Sequence, residues 1–316
     1  MDTFVGTYVM CSGIESDQML RLPFQYLRDY NVSRLLLTNL NFSVPPDLFW
    51  GLRVGTLKIT DSRFRVEEGT LEGRRSRVQS LEFMRSNVDT GLSFFGNLDF
   101  LETLCVQNSS VKHFARDWLA TLVNLTHLTV DSTVFQILDS DALSDLPRLG
   151  TLIWTNNDLR YIGREFLPRR SRLLKTLDLS DNKLSWLPDN LFTNMPHLQT
   201  VVLSRNAFKV PSPKPWTNWL GQLSKLNLEG NPIVCNHTIS WLLRAELKGK
   251  VVGRCAEPME LVGMSLADLD DLRYSGRIPR QKYVNERHDG VLDSVGKETA
   301  SRNYLLKVIQ YNNTTQ

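Results

Sequence analysis

The chain is read as an α/β solenoid, one stack of coils with a curved parallel β-sheet on its concave face and short helical or 3-10 returns outside. Two observations predict this. Leucine supplies 50 of 316 residues, an excess that points to internal repeats. A unit of about 24 residues, L-x-x-L-x-L-x-x-N-x-L with any aliphatic residue or Phe at L, recurs through most of the chain. Its copies begin at Val32, Val54, Val78, Leu101, Leu125, Leu149, Leu174, Leu198 and Leu223, with gaps of 22–25 residues.

Each part of the unit has a physical role. Positions 4 and 6 are apolar and alternate with 3, 5 and 7, which is strand periodicity over about three residues. Position 9 holds Asn157, Asn182, Asn206 and Asn231 in the last four copies. An inward amide there can bond the backbone of the turn that leaves the strand, which burial would otherwise strand. Copies two to five hold Ser62, Ser86, Ser109 and Thr133 at that position, with fewer hydrogen bonds to offer. Leu40 in the first copy offers none, so the N-terminal half is expected to turn less regularly. The segments Leu138–Leu146 and Leu187–Met195 carry wider apolar spacing and are read as returns. One unit cannot bury its leucines alone, whereas stacked units can. The pattern over 32–233 resembles the leucine-rich repeat.

The ends follow. Asn231-Pro232-Ile233-Val234-Cys235, Trp241-Leu242-Leu243 and Cys255-Ala256-Glu257-Pro258 occur in order. Together they resemble the cysteine-flanked C-terminal cap of extracellular leucine-rich repeat proteins. Two positions of that pattern lack cysteine: His237 stands at one, and the stretch near Tyr274 has none at the other. The resemblance therefore implies one bridge, Cys235 to Cys255, with His237 packed in the cap. Tyr8 to Gly13 resembles the last strand of the matching N-terminal cap, without that cap's earlier cysteines, and leaves Cys11 without an obvious partner. The expected division is 1–31 a partial N-terminal cap, 32–233 repeats, 234–276 the cysteine-containing C-terminal cap and 277–316 a polar, exposed tail.

Composition bounds the function. Lys plus Arg is 37 against 34 Asp plus Glu, a net charge of +3, which gives no overall electrostatic case for nucleic acid. No apolar run is long enough to span a membrane. The first residues lack the basic and apolar regions of a signal peptide. Against that stand the bridged cap and seven N-x-S/T acceptors, at Asn31, Asn41, Asn108, Asn124, Asn236, Asn312 and Asn313. The expectation is an extracellular, secreted glycoprotein with a trimmed N-terminus.

Positions 2, 3, 5, 7 and 8 form the concave face, which carries six basic and seven acidic residues. Such a mixture suits a protein partner better than a polyanion. Lys58, Glu82, Thr129, Asn156, Asp178, Val202 and Arg205 are the expected contacts. Cys105 and His127 sit on neighbouring strands and invite a Cys–His nucleophile. As diagonal neighbours they would lie about 7–8 Å apart, so an ordinary surface thiol is the expectation. The histidines show no metal spacing. No catalytic residue, metal or cofactor is expected. The function expected is non-catalytic protein binding on the concave face. The alternatives are an accessory subunit or matrix protein that stabilises another protein, or the ectodomain of a leucine-rich repeat receptor. The layout is also similar to a group of arthropod proteins named after the non-catalytic subunit of oplophorus-luciferin 2-monooxygenase, which would imply a carrier or stabilising role.

Overall fold

The computed structural model describes residues 7–45, 47–67, 77–90, 92–96, 98–217 and 220–269. The expected tail and the last residues of the expected C-terminal cap lie outside these.

Eleven parallel strands form the concave sheet in strict chain order. They are Thr7–Cys11, Asn31–Thr38, Arg53–Thr60, Ser80–Met84, Thr103–Gln107, His127–Asp131, Thr151–Thr155, Thr176–Asp178, Thr200–Val202, Lys225–Asn227 and Val251–Val252. All nine repeat strands are in register: Leu36 faces Lys58, then Glu82, Cys105, Thr129, Ile153, Asp178, Val202 and Asn227. Positions 4 and 6 point inward as the alternation requires. Leu35, Leu57, Leu81, Leu104, Leu128, Leu152, Leu177, Val201 and Leu226 are each at most 1% exposed.

Flanking segments supply the outer strands. Thr7–Cys11 pairs with Asn31–Thr38, and the helix Gln18–Leu27 between them buries Leu20 and Phe24 against the first coils. At the other end Val251–Val252 pairs with Lys225–Asn227, and Ile233–Val234 pairs with Cys255–Glu257. Cys235 and Cys255 are bridged, with Cα atoms 5.5 Å apart. The Trp241 indole N–H donates to the Pro211 carbonyl (2.9 Å), which ties the cap to the preceding return. His237 is exposed rather than packed, because the 3-10 turn His237–Leu243 buries Ile239, Trp241 and Leu242 and leaves its first residue outside.

The expectation of a less regular N-terminal half is overturned. A second parallel sheet of five strands, Ser43–Val44, Arg63–Val66, Asn87–Asp89, Ser110–Phe114 and Val134–Leu138, lies just past the turns of the first five coils. Backbone pairing does there what the side chains alone could not. The hydroxyls also form a continuous ladder. Ser62 Oγ accepts from Leu40 N (3.0 Å), Ser86 Oγ from Ser62 N (3.2 Å) and Ser109 Oγ from Ser86 N (3.1 Å). Leu40 needs no polar group because the next coil satisfies its N–H.

The last four coils turn differently. The Asn182 amide donates to the carbonyls of Trp154, Leu179 and Ser180 and accepts from Asn157 N (3.1 Å) and Leu159 N (3.0 Å). Asn206 and Asn231 repeat the pattern one coil further each.

Inside the N-terminal two-thirds runs a chain of aromatic rings. It passes from Phe24 through Phe49, Phe94, Phe95 and Trp118 to Phe114, Trp154 and Phe166, with successive centroids 4.2–5.9 Å apart. Rings of this size bury large apolar area and prefer such stacked, tilted and edge contacts.

Candidate functional site: the concave face and its rims

The in-register sheet turns each repeat position into a row crossing the coils. The position 3 row is largely threonine and serine, with Thr56, Ser80, Thr103, Thr151, Thr176 and Thr200 half-buried between their neighbours. The position 5 row runs through the middle of the face, and all its repeat members are half-buried.

The expected contact residues fall on this surface, but several already have partners. Lys58 Nζ and Glu82 Oε2 are 3.2 Å apart on adjacent strands. Asp178 Oδ1 accepts from Ser180 N (2.9 Å) and from the Ser180 hydroxyl (2.6 Å). Asn156 donates to Ser132 Oγ (2.8 Å). Arg205 forms a two-pronged pair with Asp181. Thr129, Val202 and Ile153 offer side chains without such ties, so the open part of the face is its weakly polar centre.

Cys105 lies half-buried in the position 5 row between Glu82 and Thr129. Burial, reinforced by Glu82, pushes its thiol up to about 11, the reverse of what an activated nucleophile needs. His127 pairs in register with Thr103, and its Nδ1 bonds the Thr126 hydroxyl (2.8 Å) rather than the thiol. Cys11 is also a free thiol, raised by burial. Among the described residues no group of three His, Cys, Asp or Glu side chains is placed to hold a metal ion.

Two features of the rims were not read from the sequence. Position 8 is left-handed in every copy: Asn39, Asp61, Arg85, Asn108, Ser132, Asn156, Asp181, Arg205 and Gly230 have φ between 47° and 72°. The signal was present, since six of the nine are Asn, Asp or Gly, the residues that tolerate this conformation. Arg85 is held there by two bonds to Asp61 one coil earlier, 2.7 and 2.8 Å. The guanidinium keeps the Asp61 carboxyl below its ordinary value, and Arg205 does the same to Asp181. The second feature is an exposed apolar row at position 13, formed by Ile137, Tyr161, Trp186 and Val210 in four consecutive coils, each 41–53% exposed. The Tyr161 and Trp186 rings are 5.3 Å apart.

Among the glycan acceptors, Asn31, Asn41, Asn108 and Asn236 are exposed. The Asn124 side-chain nitrogen is engaged instead, donating to the Asp99 carbonyl (2.6 Å).

The stacked coils and their continuous eleven-stranded parallel face define a leucine-rich repeat solenoid, and residues 172–233 match the leucine rich repeat family model. Mouse trophoblast glycoprotein is 30% identical over 155 residues, 47% of this chain and 30% of that protein, so the match spans under a third of the relative. A solved octameric complex of Latrophilin 3, Unc5D and FLRT2 contains a chain aligned at 18% identity and a TM-score of 0.44, covering 74% of this chain and 87% of that one.

Proposed function

We propose that the chain is a non-catalytic recognition module of the extracellular space that holds a protein partner against its concave face. The observation that supports this most directly is the register of the face. Nine strands fix their outward side chains in straight rows, with the side chains of Thr129, Ile153 and Val202 open and the pairs Lys58–Glu82 and Asp181–Arg205 closed across the coils. A surface rigid before contact loses little freedom on binding. Lys58, Glu82, Asn156 and Arg205 would then frame the contact, and Asp178, between Ile153 and Val202 with its carboxylate held by Ser180, would lie within it. Extracellular placement is supported by the Cys235–Cys255 bridge, by the exposed acceptors Asn31, Asn41, Asn108 and Asn236, and by the similarity to a protein named as a glycoprotein. An accessory subunit of the kind found beside the arthropod luciferase would use the same face, and its partner would co-purify at fixed stoichiometry.

The test is capture of a partner from native extracellular extract by the secreted, glycan-mapped chain. Thr129→Arg with Val202→Arg is expected to abolish capture, and Tyr161→Ala with Trp186→Ala to leave it intact. The opposite pattern would move the contact to the exposed aromatic row and overturn the concave-face reading.

A further inference from the structure

We propose that the rim from which the chain runs into the concave strands, over the last repeats and the cap, binds a sulfated polysaccharide. The near-neutral net charge conceals an asymmetry between the two rims. On the rim where the strands end, and on the returns beyond it, four cations are each paired with an acid one coil earlier, while Arg160 and Lys209 are exposed there without a carboxylate partner among the described residues. Lys183 pairs with Asp158 (2.8 Å), Arg205 with Asp181, Lys214 with Asp189 (3.1 Å) and Arg254 with Glu229 (3.4 Å). On the opposite rim Arg170, Arg172, Lys175, Lys225, Lys248 and Lys250 have no carboxylate partner among the described residues. All but Lys250, which is half-buried, are exposed.

The sheet places these cations in a line. Lys175, Gln199 and Ser224 are linked by successive backbone bonds, Gln199 N to Lys175 O (2.9 Å) and Ser224 N to Gln199 O (2.8 Å). Lys225 and Lys250 immediately precede the paired residues Leu226 and Val251, so they stand side by side. At about 4.8 Å per strand, Lys175 is roughly 10 Å from Lys225, and Lys250 roughly 5 Å further on. Two like charges on adjacent strands repel and cost stability unless an anion lies across them. Acids of the neighbouring described segments give little relief. Asp141 and Asp145 are engaged by Arg116 and Arg169, and Glu246 is a single carboxylate among Arg244, Lys248 and Lys250.

The loop bearing Arg170 and Arg172 is stapled in place. The half-buried Arg164 guanidinium donates to the carbonyls of Leu167, Pro168, Arg169 and Thr193, and the Ser171 hydroxyl donates to Pro168 O (2.5 Å). The two neighbouring arginines are thereby presented from a loop whose backbone is already ordered, leaving only their side chains to be fixed on binding. Among the described residues the rim is a narrow line of cations with no ladder of aromatic rings for stacking bases, so a linear sulfated sugar fits it better than a single-stranded nucleic acid. The choice of a sugar polyanion rests on the extracellular reading. The charge geometry does not.

The experiment is titration with size-defined heparin oligosaccharide at about 0.15 M salt, where only closely spaced charges remain effective. Lysine acetylation footprinting of the wild-type chain accompanies it. Heparin is expected to protect Lys175, Lys225 and Lys250 and to leave Lys183 and Lys214 reactive. Lys175→Glu with Lys225→Glu and Lys250→Glu should weaken binding roughly tenfold or more, by loss of released counterions. The equally charged control Lys183→Glu with Lys214→Glu and Arg254→Glu should change it by less than about threefold. Equal losses in the two variants, protection on the paired rim, equally tight binding of duplex DNA, or no binding at this salt would each overturn the proposal. None of these outcomes bears on the concave-face partner, whose own test uses Thr129 and Val202.

Discussion

The two halves of the solenoid solve the same problem with different groups. Every coil must satisfy the backbone where the chain leaves the inner strand and turns outward. In the first five coils position 9 is a hydroxyl or Leu40, too short to reach beyond the N–H of position 9 one coil earlier. The backbone completes the closure by pairing with itself, as in Asn87 N to Ser62 O (2.8 Å) and Ser110 N to Ser86 O (2.9 Å), and the second sheet results. In the last three coils the longer amide reaches two residues further, whereas Asn157 accepts from Thr133 N at position 9. Asn182 and Asn206 accept from Leu159 N and Leu184 N at position 11, where the hydroxyl-closed coils use backbone pairing. Side-chain reach at position 9 thus selects between strand and irregular turn in the coil before it.

The difference implies unequal fragility, which is the largest effect to test. Asn182 alone serves two N–H groups and three carbonyls, so Asn182→Ala leaves several buried groups unpaired and is expected to cost about 3–5 kcal/mol. Asn182→Ser should recover only a small part, because a hydroxyl cannot span to Leu159. Urea unfolding checks both, and a C-terminal half that melts separately from the N-terminal half would sharpen the contrast. A loss under about 1 kcal/mol would show that the turn is held by something other than its amide.

Much of this architecture was legible. The apolar rows at positions 4 and 6, the in-register strands and the asparagine closure follow from period and residue type, and the cap bridge from its motif. The second sheet was missed because Ser62, Ser86, Ser109 and Thr133 were weighed only as weaker asparagines. The alternation in Arg63-Phe64-Arg65-Val66, which buries Phe64 and Val66, carried the strand signal. The inter-coil ion pairs correspond to opposite charges one period apart, Asp61 with Arg85 and Asp181 with Arg205, a signal that lies between copies and not within any one of them. Which expected contact residues are internally engaged, and which rim is left uncompensated, depends on side-chain direction and could not be reached from spacing.

The ends of the two halves differ as well, a helix at one and a covalent staple at the other. Cys235→Ser with Cys255→Ser reopens a loop with a sequence separation of 20 and is expected to cost about 3 kcal/mol. The loss should show in the last coils first, as accelerated amide exchange at Leu226 and Leu228, whose N–H groups bond Lys250 and Val252. Uniform acceleration across all coils would mean the solenoid unfolds as one unit and the halves are not separable.

A smaller cost tests the hydroxyl side. Ser86 donates to Met84 O (2.9 Å) and accepts from Ser62 N, while the neighbouring backbone ladder stays intact on its removal. Ser86→Ala is expected to cost about 1–2 kcal/mol, well below Asn182→Ala, by the same unfolding measurement. Equal costs for the two would break the comparison, because the second sheet would then contribute nothing to closure.

The smallest effect is one the halves should share. Asp61 in the first and Asp181 in the second are both held below the ordinary carboxylate range by an arginine one coil on. A carboxylate with a depressed folded-state value binds its proton more readily in the unfolded chain. Its contribution is therefore complete above the unfolded value near pH 4 and is lost as pH falls through the folded one. Both pairs are exposed, so the effect is modest and weakens with salt. The stability gap between the wild type and Asp61→Asn with Asp181→Asn should be constant from pH 7 to about 5 and close below 4. A gap that persists in acid would mean these aspartates act through the left-handed backbone they occupy rather than through charge.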